Sequence, residues 1–397
     1  MKKALTYDDI NIVPKYSELE SRDKVKLNTR FTKNTELSIP IVTSPMDTIT
    51  EEDMAIEMME WGGVGVIHRF NTIEEQSKMM KSVWREWDSY FDIGGNKEET
   101  LDDVYDDWWK QVLGKPTNSD WKDLQDRLEW RERMLFDDDI WRKRPLCASI
   151  GVTGDYLERA QELVKNGCNV LLIDVAHGHH KLVKNALRRL KNEISNIFEI
   201  VAGSVATSEA ARQLCEWGAD GVRVGVGNGS LCETRIRTGV GLPSITSILD
   251  CVAVCDNFGV PVIADGGIRN VGDSCKSLGA GADCFMLGSL LSGTKETPGE
   301  IEKLGEWPNE QLYKKYRGSA SLDSKKSRGD DKNVEGNHKV IPYKGKVKRI
   351  LHDITDGIRS SFSYVGANDI TEFHSRVEFI KVTDAGIIEA QPHLMKN

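Results

Sequence analysis

Residues 225–234 (Gly-Val-Gly-Asn-Gly-Ser-Leu-Cys-Glu-Thr) hold the densest group of chemistry-bearing residues in the chain. Gly225, Gly227 and Gly229 leave main-chain amides and carbonyls open to close approach by a ligand or cation, which side chains would obstruct. Cys232 then stands on a loop instead of an apolar helix face, and a thiolate in such a position can attack an electrophilic carbon. Taken alone, a loop cysteine is more often an ordinary thiol than a nucleophile. Two further turns carry polar chemistry: Asp265-Gly266-Gly267 and Gly288-Ser289. Paired glycines can hold a phosphate on main-chain amides, and Asp265 can accept hydrogen bonds from ribose hydroxyls. An isolated Asp-Gly-Gly is only a turn signal, so the weight falls on where these turns stand.

Each of them closes a short apolar run. Such runs, ending in Gly, Asp, Ser or His, occupy 39–47, 62–69, 145–152, 168–177, 198–206, 220–227, 260–268 and 283–291. Amphipathic segments between them, including 155–165, 208–217 and 244–258, have the period of crossover helices. Eight β-α units predict a (β/α)₈ barrel of the TIM type, with a doubly wound open sheet as the alternative. In a barrel the chemistry gathers where strands end, and the loops after the last two strands commonly bind phosphate.

The predicted organisation is barrel over 1–83, an insertion over 84–143, barrel again over 144–293, a lid over 294–346, and a C-terminal barrel helix and tail over 347–397. The insertion carries Trp84, Trp87, Trp108, Trp109, Trp121, Trp130 and Trp141 among many acidic residues. Packing of a small helical core accounts for them most simply; an aromatic interaction surface is the sharper alternative. Segment 294–346 is polar with weak periodicity, the character of an irregular functional loop.

The formal net charge of −9 argues against broad attraction to nucleic acid or anionic lipid and favours a small phosphorylated ligand. No apolar stretch is long enough for a membrane helix, and no signal-peptide core follows Met1, so a cytoplasmic protein is expected. The eight cysteines form no C-x-x-C pair, which predicts reduced, mostly buried thiols in place of a disulfide or zinc framework.

Seven ordered motifs resemble the family of inosine monophosphate dehydrogenase and guanosine monophosphate reductase. They are residues 4–9 (Ala-Leu-Thr-Tyr-Asp-Asp), 44–48 (Ser-Pro-Met-Asp-Thr), 62–68 (Gly-Gly-Val-Gly-Val-Ile-His), 174–178 (Asp-Val-Ala-His-Gly), the Cys232 loop with 238–241, 263–268 (Ile-Ala-Asp-Gly-Gly-Ile) and 316–318 (Tyr-Arg-Gly). The resemblance runs along the chain except for the tryptophan-rich insertion, which is unlike the paired cystathionine-synthase-type regulatory domains ordinarily found there. It implies a covalent adduct of Cys232 with purine C2, and proton transfer by Thr234 with Glu335. It implies a purine nucleotide monophosphate held by Ser44, Ser230, Asp265, Gly266, Gly267, Gly288, Ser289, Tyr316 and Gly318. A cofactor, NAD or NADP, would meet Asp174, His177 and Gly178. Potassium would bind the carbonyls of Gly227, Gly229 and Cys232, and the assembly would be a homotetramer.

The two activities of the family differ in one need. The dehydrogenase hydrolyses its adduct with a flap bearing an Arg-Tyr pair, whereas residues 326–330 here read Lys-Ser-Arg-Gly-Asp, keeping Arg328 without the tyrosine. That and residues 358–366 favour the reductase. The first two strands, Gly288-Ser289 and residues 389–393 are closer to the dehydrogenase. Asn228, Glu233, Ser204, Ser319 and Ala320 depart from both patterns, which keeps a catalytically silent nucleotide-binding scaffold as a third reading.

Overall fold

The computed structural model describes residues 2–92, 145–194, 198–305, 310–318, 321 and 336–390, with side chains of 87–92 outside that description. Eight parallel strands form one sheet: β1 (Ile41–Thr43), β2 (Val66–Ile67), β3 (Cys147–Ile150), β4 (Val170–Asp174), β5 (Glu199–Val205), β6 (Gly221–Val224), β7 (Val262–Asp265) and β8 (Cys284–Leu287). Each lies inside one of the eight apolar runs. The sheet closes because β1 pairs with β8, Val42 opposite Met286, and also bridges Val64 just before β2. The barrel, and not the open sheet, is therefore the architecture.

Strand side chains alternate between two cores, as a period of two requires. Val42, Val66, Val170, Leu172, Val201, Ile263 and Met286 fill the barrel interior. Their neighbours Ile41, Ile67, Leu171, Ile173 and Ile200 face outward into a layer of helices. Burying one such side chain contributes about 1.5–3 kcal/mol, so both layers are strongly determined. The helices are α1 (Glu52–Glu60), α2 (Ile73–Asp92), α3 (Tyr156–Lys165), α4 (Lys181–Glu193), α5 (Ser208–Glu216), α6 (Ser244–Cys255), α7 (Val271–Gly279) and α8 (Lys348–Val365). Thr207 and Asn270 cap α5 and α7 by accepting amide hydrogen bonds at 3.3 and 2.9 Å, contacts worth about 1 kcal/mol each.

Two sequence expectations change here. Helix α2 runs past position 84, and Trp84 packs on the barrel core against Gly167, so it is a barrel residue. The other tryptophans of the proposed insertion have side chains outside the described residues. Segment 294–346, expected to be irregular, contains an antiparallel ribbon of β9 (Glu302–Leu304), β10 (Gln311–Arg317) and β11 (His338–Pro342). Only alternate residues of β10 are covered, Lys314 and Tyr316 being buried and Lys315 exposed, which is why its periodicity is faint in so polar a stretch.

Candidate active site

All the loops that leave the C-terminal ends of β6, β7 and β8 turn toward one cavity of about 910 Å³, near the upper end of the usual size for ligand sites. Glycine makes the convergence possible. At Gly225 (φ +156°) a Cβ would lie 1.9 Å from the carbonyl oxygen of Asp265, and at Gly266 (φ +87°) it would strike the backbone of Asn228 at 2.9 Å. The β6 and β7 loops can therefore touch only without side chains.

Cys232 stands at this junction. Seven cysteines are buried, and Cys232 is the half-buried exception, as its loop position suggested. Its thiol donates to Thr234 Oγ1 at 3.1 Å. Its amide donates to the Gly229 carbonyl at 3.0 Å, which folds the loop back and fixes the sulfur over the cavity. The ribbon locks the other side: Cys232 bridges Gly336, Asn337 N–H donates to the Leu231 carbonyl at 3.2 Å, and Asn337 Nδ2 donates to Glu233. Glu233, one of the departures from the family pattern, thus ties the nucleophile loop to the ribbon.

Across the cavity, Ser230 Oγ lies 3.0 Å from the Tyr316 hydroxyl. A Cβ on Gly288 would sit 3.2 Å from Ser44 Oγ and 3.4 Å from the Tyr316 hydroxyl. Ser44, Ser230, Gly288 and Tyr316 thereby form a hydroxyl-lined cradle joined by Gly266, Gly267, Ser289 and Gly318. Burial raises the Tyr316 pKa, so its hydroxyl keeps its proton and can donate to an anion.

Asp174, at the end of β4, and Asp265, at the end of β7, share the buried Arg223 of β6. Arg223 donates to Asp174 at 2.8 Å and lies 3.7 Å from Asp265. Burial raises the Asp265 pKa against the opposing pull of Arg223. Arg69 adds a second cation, its Nε donating to the Asp174 carbonyl oxygen at 3.2 Å. Neither arginine was singled out from sequence. For Arg223 the available signal was a lone cation inside an otherwise apolar barrel strand.

Not every expected residue reaches the cavity. His177 is exposed and packs near His179, with ring centroids 6.2 Å apart. Gly178 is buried against the β5 end: its amide donates to the Ser204 carbonyl at 2.7 Å, and a Cβ would press on the Gly203 backbone at 3.1 Å. Its role in the structure is close packing of two loops. Arg328 and Glu335 lie outside the described residues, as do Ser319 and Ala320.

The two expected cofactors fit differently. A cavity that runs from Cys232 to Asp174, Val175 and Ala176 has room beside a mononucleotide, with Asp174 oriented by two arginines, and so suits a nicotinamide. For potassium, the Gly229 carbonyl already accepts the Cys232 amide. The Arg235 guanidinium also packs along Gly227 while donating to Asn228 and the Leu242 carbonyl. Carbonyls of this loop alone do not replace the hydration shell of an alkali cation, and no step below uses one.

Residues 4–393 match the IMP dehydrogenase / GMP reductase domain. The chain belongs to that family. It is 35% identical to inosine-5'-monophosphate dehydrogenase of Nitrosopumilus maritimus, covering 99% of this chain and 98% of the relative. It is 33% identical to GMP reductase of Leishmania major, covering 99% and 97%. The structure of GMP reductase from Trypanosoma brucei in complex with guanosine 5'-monophosphate superposes with a TM-score of 0.83 at 32% identity, covering 99% of this chain and 98% of that one. The protein is accordingly an NAD(P)-dependent oxidoreductase of the IMP dehydrogenase / GMP reductase family. Relatives of both activities match at similar identity, so reaction direction rests on the chain's own residues.

Proposed function

We propose that the protein is a GMP reductase, converting GMP and NADPH to IMP, ammonia and NADP. The observation that carries the chemistry is the Cys232 thiol, 3.1 Å from Thr234 and facing the hydroxyl cradle across a single cavity. With the phosphate on Ser230, Gly267, Gly288, Ser289 and Tyr316 and the ribose on Asp265, a purine extends toward Cys232. The thiolate forms a bond to C2, and the exocyclic amino group leaves as ammonia after taking up a proton. A bound reduced nicotinamide supplies one hydride to C2. The C–S bond then breaks with its electron pair returning to Cys232, and Thr234, in contact with the sulfur, handles the proton at this centre. Atoms and electrons balance: the purine gains the hydride that the nicotinamide loses, and two protons are consumed in forming ammonium.

Direction is read from residues 326–330, which keep Arg328 but lack the tyrosine that accompanies a water-activating arginine. Without such a pair, an adduct discharged by hydride is served better than one discharged by water. The dehydrogenase-like Gly288-Ser289 turn and residues 389–393 favour the second reading, IMP dehydrogenase, with Arg328 or Thr234 and Glu335 activating water. A homotetramer in the cytoplasm, expected from family resemblance and from the sequence, completes the proposal; no described helix is long and apolar enough to cross a membrane.

Incubating the purified chain with GMP and NADPH should oxidise the cofactor and release ammonia in equal amounts. Failure there, together with turnover of IMP and NAD to XMP, would replace the reductase by the dehydrogenase.

A further inference from the structure

A second cavity, of about 460 Å³, opens between α4 and α5. On the α4 side stand His180, Lys181, Lys184 and Arg188, and on the α5 side Gln213 and Trp217. No carboxylate lines it, although the whole chain carries a formal charge of −9. Other cations of the same helix are neutralised, Arg189 by Glu193 at 2.5 Å and Lys191 by Asp220 at 2.6 Å. Among the described residues Lys181, Lys184 and Arg188 have no such partner. Their spacing of three and four places them on one helix face.

The remaining walls give the site a shape as well as a charge. His180 Nδ1 accepts the Leu182 amide at 3.1 Å, which puts its ring proton on Nε2. Trp217 offers a half-buried ring, with Lys184 Nζ 5.7 Å from its centroid and the His179 ring 6.1 Å away. His179 is anchored by a 3.0 Å contact with Gln213. An aromatic wall beside three unneutralised cations suits a planar base carrying a phosphomonoester. A merely solvated helix face would need neither the ring nor the concavity.

Position supplies the ligand. Ala176 lines the active cavity and His179 lines this one, three residues on, a reach of at most about 11 Å of chain. A dinucleotide with its nicotinamide at Asp174 can therefore cross this loop with its adenosine end. We propose that this second cavity holds the adenosine 2'-phosphate of NADPH and makes the enzyme select the phosphorylated cofactor. The inference rests on the reading of Asp174 as the nicotinamide end, and so on the proposed oxidoreductase site.

Calorimetric titration of the full chain with 2',5'-ADP, 5'-AMP and inorganic phosphate tests it without turnover. Hydrogen bonds to a charged group are worth about 1.5–3 kcal/mol, so 2',5'-ADP should bind roughly 10- to 150-fold tighter than 5'-AMP. Lys184→Ala with Arg188→Ala should erase that difference and raise KM for NADPH roughly tenfold more than KM for NADH. Equal affinity for the two adenosine ligands would overturn the proposal. So would inorganic phosphate binding as tightly as 2',5'-ADP, which would mark a free-anion site. GMP reduced equally well by NADH and NADPH would sink the pocket and leave the reductase standing. Inertness toward GMP combined with selective 2',5'-ADP binding would sink the reductase and leave the pocket.

Discussion

The two ends of the barrel use the same residue types to opposite effect. At the N-terminal end a short hairpin, Thr29–Arg30 with Glu36–Leu37, stoppers the interior with Phe31 and Leu37. Glu199, at the start of β5, accepts from Thr32 (2.5 Å), Thr35 (2.7 Å) and the amide and side chain of Asn34 (both 3.0 Å). Asp220 and Asp283 likewise receive the amides of Ile200 and Val262 together with Lys191 and Arg30. At the C-terminal end two carboxylates share one arginine, Arg223 Nε and one amide nitrogen of Asn228 are buried without a partner among the described residues, and the nucleophile is half exposed. A saturated carboxylate stabilises the fold. An undersaturated one keeps hydrogen-bonding capacity for a ligand, at some cost in stability.

That contrast is broken most severely at Cys232. Cys232→Ala should lower turnover by about 10⁴-fold or more while GMP still binds, as rate assays and calorimetry would read. A variant within tenfold of the wild type would instead support the silent scaffold. The opposite end should respond in the opposite currency: Glu199→Ala should lose about 2–4 kcal/mol in urea unfolding, leaving buried Thr32 and Thr35 unpaired, with kcat per folded molecule unchanged. Loss of kcat without loss of stability would erase the distinction between the ends.

The finest test is pH. Burial raises the Asp265 pKa, so the folded protein holds that proton where the unfolded chain has lost it. The resulting penalty is full above the raised value and vanishes as pH falls below the ordinary carboxylate range. Wild-type stability should therefore rise, relative to Asp265→Asn, as pH falls through that window, while KM for the nucleotide worsens in the wild type alone. An inverse slope in paired urea unfolding series would show that Arg223 dominates.

The barrel was legible because every one of its strands is a short, wholly buried run, and burial on both faces leaves an apolar sequence bounded by Gly and Asp. The cavity was legible because glycine is needed wherever two of its loops cross. The ribbon was not: β10 buries only alternate residues, and those include Lys314, whose ammonium satisfies the carbonyls of Thr294 and Lys295 at 3.1 and 3.2 Å. Arg223 was hidden by its apolar neighbours, since its partners Asp174 and Asp265 lie 49 and 42 positions away and meet it only when the sheet closes. His177 and Gly178 sit on the correct loop, yet sequence cannot tell which side of a loop faces the cavity and which packs on β5.

The ribbon's two-residue repeat makes the active site sensitive to parity. Tyr316, opposite Lys339, reaches Ser230 only while β10 keeps its frame against β11. Deleting one residue between Gln311 and Tyr316 would turn every side chain over, offering Lys315 to the phosphate cradle and sending the tyrosine to solvent, whereas removing two would shorten the strand and preserve its facing. Evolution of this segment is thus free to change length in even steps and barred from odd ones.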